Sequence, residues 1–85
     1  MRHETSPADR LCRALASAAA SGDVQLATEM LPHLESEDAG VRFCAYQALV
    51  SLLGDDPVGY RPYSSSQERK RAVARWDEIL RGGAQ

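Results

Sequence analysis

Apolar residues recur along this chain at spacings of three and four. That is the period of an amphipathic helix, and no stretch shows the alternation a strand would need. Four helical segments follow. The first spans about residues 7–20: Ser6 can cap it, Pro7 suits the first helical position, and Asp9 lies in the first turn. Leu11, Cys12, Leu15, Ala18 and Ala19 share one face, and Gly22 supplies a stop. The second spans about 24–35, with Asp23 as cap and Val24, Ala27, Met30, Leu31 and Leu34 as its stripe. Pro32 falls inside it and lacks an N–H, so a kink or a short irregular helix is expected.

The third segment, about 39–53, starts at Asp38 with Gly40 in its first turn. Val41, Cys44, Ala45, Ala48, Leu49 and Leu52 form one apolar face, and Phe43, Tyr46, Val50 and Leu53 form another. A helix apolar on two sides is expected to be covered on two sides, which puts it at the centre. Gly54 ends it. Residues 54–64, with Pro57, Gly59 and Pro62, read as a loop. Tyr60 and Tyr63 are expected to lay their rings on the domain and keep their hydroxyls near water. Ser65 and Glu68 then form a capping box for a fourth helix, about 65–81. Its face is Ala72, Val73, Trp76, Ile79 and Leu80, and Gly82-Gly83 closes it. Glu68 with Arg71, Arg75 with Glu78, and Asp77 with Arg81 are spaced to pair on its outer side.

The expected fold is therefore all-α, one domain over residues 1–85. With 85 residues, folding buries only about 60–65% of the unfolded surface, so the core is thin. Charge is divided along the chain. Residues 1–60 carry four basic residues against nine acidic, net −5; residues 61–85 carry six against three, net +3. The overall charge of −2 does not suit a general nucleic-acid or anionic-lipid binder. Attraction between tail and body within one molecule is the simplest use of the asymmetry.

The two cysteines, Cys12 and Cys44, lie at core spacings. Buried thiols are the default reading, and a disulfide becomes available if the first and third helices touch. His3 and His33 have no ligand spacing to either cysteine, so no metal or other cofactor is expected. No apolar run approaches the roughly 18 residues of a membrane span. Leu11 to Ala20 is interrupted by Arg13 and makes a poor signal peptide, so a cytoplasmic location is expected.

Leu31, Leu34, Asp38, Val41, Arg42, Ala45, Ala48, Leu49 and Leu52 together resemble a HEAT repeat, the helical hairpin of armadillo-like α-solenoids. The resemblance covers residues 23–53. Ala39 and Gly40 stand where the family usually has a proline before its Val-Arg pair. The resemblance implies that Arg42 reaches an aspartate in a nearby turn, Asp38 or Asp23. The alternative is a solvated surface arginine. Gly59-Tyr60-Arg61-Pro62, Ser65, Glu68-Arg69, Ala72-Val73 and Trp76 are similar to a segment that follows HEAT repeats in some large bacterial proteins. There it closes the array, which implies that helix 65–81 caps the stack.

No catalytic constellation stands out, so the chain reads as non-enzymatic. His33 has no second ligand or nucleophile at useful spacing, and Asp55-Asp56 reads as a solvated turn. The basic cluster Arg69-Lys70-Arg71 with Arg75 raises nucleic-acid binding, but Glu78 continues its face. The leading reading is a protein-interaction or scaffold module, and the alternatives are a nucleic-acid-associated domain or an enzyme's regulatory subunit. Candidate contact residues are Met30, Phe43, Tyr46, Tyr63, Arg71 and Arg75; burial against the first or fourth helix is the competing reading for Met30, Phe43, Tyr46 and Tyr63, and the favoured one for Phe43 and Tyr46. A second copy of the chain is the simplest partner, since a thin core gains from added burial.

Overall fold

The computed structural model describes residues 7–54, 56 and 58–82; the expectations for His3, Ser6, Asp55, Pro57 and Gly83 fall outside them. Among the described residues the chain is all-helical. Helix α1 runs Pro7–Ser21. The second helix is composite: a 3-10 turn at Val24–Leu26, a single α turn (α2, Ala27–Met30), and a 3-10 stretch at Leu31–Glu35. Pro32 sits in the first turn of that last stretch, so its missing N–H falls where a helix start leaves one unpaired. The Leu31 N–H bonds the Thr28 carbonyl three residues back, which tightens the chain into the 3-10 form.

Helix α3 (Ala39–Leu53) begins as expected: the Asp38 side chain accepts from the N–H groups of Gly40 at 2.7 Å and Val41 at 3.3 Å. Asp23 does the same for Gln25 at 3.0 Å. Gly54 ends α3 at φ 79°, a left-handed conformation that glycine adopts without a Cβ penalty. Helix α4 (Ser66–Gly82) opens with the Ser65–Glu68 capping box, each residue receiving a backbone or hydroxyl hydrogen from the other at 3.2 Å. Of the three pairs expected along α4, the Asp77–Arg81 bridge forms, at 2.9 Å.

The packing order differs from the sequence order. Helix α1 lies on α3, α3 on the composite second helix, and the second helix on α4. The core draws on every one of them: Leu15, Ala27, Met30, Leu31, Leu34, Ala45, Ala48, Leu49 and Trp76, joined by Tyr60 from the loop. Two-sided cover of α3 is only partly realised. Val41, Ala45, Ala48 and Leu49 of its first face are buried, but Phe43 on the second is 50% exposed, because α4 settles chiefly on the second helix and leaves that end of α3 open. Met30 is 1% exposed, so its proposed role as a surface contact is overturned: it faces inward beneath α1.

Cys12 and Cys44 are bonded as a disulfide with Cα atoms 5.4 Å apart. The expected free thiols are thus replaced by a cross-link between α1 and α3, possible because the two helices are in contact. Alanines line that contact: Ala16, Ala19 and Ala20 on α1 and Ala48 on α3. Ala45 is fully enclosed, whereas Ala48 borders an open groove of about 250 Å³ between the two helices. Ala45→Leu is therefore expected to cost about 1–3 kcal/mol by overpacking, and Ala48→Leu less, because its added carbons have the groove to enter. Thermal melts of the two variants check this, and equal losses would contradict the groove's effect.

Candidate functional site

The described residues between α3 and α4 are held at three points. Asp56 folds the turn by accepting from the N–H groups of Val58 at 3.2 Å and Gly59 at 2.9 Å. Its other oxygen accepts from the Tyr46 hydroxyl on α3 at 2.8 Å. Tyr60 turns inward, 3% exposed, and its hydroxyl donates to the Leu34 carbonyl at 2.6 Å. Arg42 completes the attachment: Nε donates to the Pro62 carbonyl at 2.7 Å and Nη1 to the Ser36 carbonyl at 2.6 Å. Beneath the loop, the rings of Tyr46, Tyr60 and Trp76 form a triangle with centroids 5.5, 6.0 and 6.2 Å apart, all tilted.

These contacts correct three expectations. Arg42 is neither solvated nor shown bonding Asp38 or Asp23 through its side chain; it is 8% exposed and serves two backbone carbonyls. The Tyr60 hydroxyl is buried, not near water. Tyr63 does not lay its ring on the domain and is 83% exposed.

The result is a shallow cavity of about 380 Å³ whose lining includes Phe43, Tyr46, Asp56, Tyr60, Arg61 and Tyr63. Three of the expected contact residues, Phe43, Tyr46 and Tyr63, therefore meet in one place. Phe43 and Tyr63 are exposed there, while Tyr46 is half-buried and spends its hydroxyl on Asp56. Arg71 and Arg75 are exposed on α4 and do not line this cavity. Arg69, of the same basic cluster, turns to the Ser64 carbonyl. Sequence reasoning missed Arg42, Tyr60 and Asp56 as the residues that hold the surface in shape. The one local signal was aspartate before Gly59, a turn-forming pair of residue types.

Both inner tyrosines hold their protons more tightly than usual. For Tyr46 the hydrogen bond to Asp56 is the main cause, followed by burial and the Asp56 charge. For Tyr60 burial dominates, opposed by the nearby Arg42 and Arg69 charges. A raised folded-state pKa contributes stability that is complete below the unfolded value of 10.0 and is lost as pH rises through the folded value. The domain is therefore expected to lose stability above about pH 10. The alkaline loss should be smaller in Tyr60→Phe, although that variant gives up one hydrogen bond, about 0.5–1.5 kcal/mol, at neutral pH. Urea melts at pH 8 and 10.5 check both statements.

Among the described residues, no three His, Cys, Asp or Glu side chains are grouped to hold a metal ion. No described helix is long and apolar enough to cross a membrane. No protein-family model matches the chain, and neither does any curated protein or any solved structure.

Proposed function

We propose that this chain is a non-catalytic helical interaction module of HEAT-like type, which engages another protein through the surface around Phe43 and Tyr63. The observation that carries the reading is the exposure of these two aromatic side chains beside a loop fixed by buried hydrogen bonds from Arg42 and Tyr60. Aromatic side chains on a rigid support lose little conformational freedom on binding, which is why they dominate interface energetics. The HEAT-like part is supported by the hairpin of the second helix and α3, flanked by α1 on one side and α4 on the other. In a stack of helical hairpins each element packs on its neighbours in this way. The disulfide bears on location: such bonds persist in oxidising surroundings, which weighs against the cytoplasmic expectation for the oxidised form.

The test is capture of a binding partner, or of a second copy, by the wild-type chain and by Phe43→Ser/Tyr63→Ser. Light scattering across protein concentration reads self-association, and cross-linking reads a foreign partner. Both side chains are exposed, so the melting temperature should hold while association falls at least about tenfold. Association that survives both changes would overturn the assignment of this surface.

A further inference from the structure

We propose that the Cys12–Cys44 bond is an exchange site for a dithiol reductant, and that its reduction releases α1 from the rest of the domain. The bond is reachable. Both cysteines are only partly buried, and both line the open groove between α1 and α3, where Ala16, Ala19, Ala20 and Ser51 leave room beside the sulfurs. Thiol–disulfide exchange needs such access for the attacking thiolate.

The bond is also the covalent link between α1 and α3, and it supplements their packing. Among the described residues of α1 only Leu15 is fully buried; Leu11, Ala18 and Ala19 are partly covered. A helix of 15 residues is marginal by itself in water, so α1 depends on docking to persist. Gly22, at φ 74°, separates it from the second helix and gives the chain a place to turn.

The exchange balances as follows. A thiolate of the dithiol attacks one protein sulfur, the Cys12–Cys44 bond breaks, and the other cysteine leaves as a thiolate that takes up a proton. The second thiolate of the reductant then displaces the remaining protein sulfur. The reductant ends as a disulfide, and the protein gains two electrons and two protons as two thiols. Release of α1 withdraws Leu11, Leu15 and Ala18 from Leu26, Met30 and His33 on the second helix. Met30, enclosed in the oxidised form, then reaches solvent and presents a flexible apolar contact.

The test compares the intact chain with and without dithiothreitol, and adds a Cys12→Ser/Cys44→Ser variant. Hydrogen exchange should show α1 amides losing protection at least about tenfold on reduction, while α3 and α4 keep theirs. Trp76 emission should not change. In the double-serine variant, peroxide should convert Met30 to its sulfoxide at least about tenfold faster than in the oxidised wild type. Three results would overturn the proposal: a bond that dithiothreitol does not reduce under native conditions, an α1 that stays protected after reduction, or a loss of protection shared equally by α1, α3 and α4. The last would make the bond a support of the whole fold instead of a releasable tether.

Discussion

Trp76→Ala is expected to be among the most destabilising single changes in the chain, at about 3–5 kcal/mol. Trp76 is fully buried and joins the loop, the second helix and α4. Its ring meets Tyr60 at 6.0 Å and Tyr46 at 6.2 Å, so alanine would remove one corner of the aromatic triangle and leave a cavity under the loop. The size of the loss comes from packing, not hydrogen bonding, because the indole Nε1 is buried without a hydrogen-bond acceptor. Trp76→Phe separates the two contributions. It keeps an aromatic ring and removes the unpaired donor, whose burial is itself unfavourable, so it should cost only about 1–2 kcal/mol. Denaturant melts of the two variants provide the check. A near-neutral Trp76→Ala would mean that α4 is not docked through this ring.

The second largest effect concerns a residue whose role was not legible in the sequence, and the reason is instructive. What could be read were short-range signals. Asp23, Asp38 and the Ser65–Glu68 pair cap helix starts because their side chains bond backbone groups two or three residues away, and each does so. Pro32 disturbs its own helix for a similarly local reason. The apolar spacing of Leu31, Leu34, Ala45 and Leu49 located the core because helix period alone decides which residues share a face.

What could not be read depends on contacts across long stretches of chain. The partner of Tyr60 is the Leu34 carbonyl, 26 residues away, and that of Arg42 is the Pro62 carbonyl, 20 residues away. Every residue has a backbone carbonyl, so no residue type marks those acceptors in advance. Phe43 and Tyr63 illustrate the same limit from the surface side. Both are large and apolar enough to be read as core, and only the settling of α4 on the second helix and the anchoring of Pro62 leave them outside. The candidate surface is thus a consequence of tertiary placement, although Phe43, Tyr46 and Tyr63 could each be nominated singly.

Arg42→Ala is expected to cost about 2–4 kcal/mol, because it deletes two charge-assisted hydrogen bonds and leaves the Ser36 and Pro62 carbonyls without their donor. Arg42→Lys should recover only part of the loss, about half, since one ammonium nitrogen cannot occupy both the Nε and Nη1 positions. Salt distinguishes this role from the aspartate pairing that the HEAT resemblance implies. Neutral carbonyl acceptors in a buried setting are weakly screened, so the Arg42 contribution should be nearly the same at low and high ionic strength. A contribution that shrinks markedly with salt, and that is matched by Asp38→Asn or Asp23→Asn, would instead indicate an ion pair. The same variant also reports on the surface. With Arg42 gone, Pro62 loses its attachment to α3, and the adjacent Tyr63 of the proposed contact surface loses that backbone support. Binding through Phe43 and Tyr63 should therefore weaken in Arg42→Ala at temperatures where the fold is still intact, and weaken less in Arg42→Lys. If binding fell only where the domain itself unfolds, Arg42 would hold the fold together without shaping the surface.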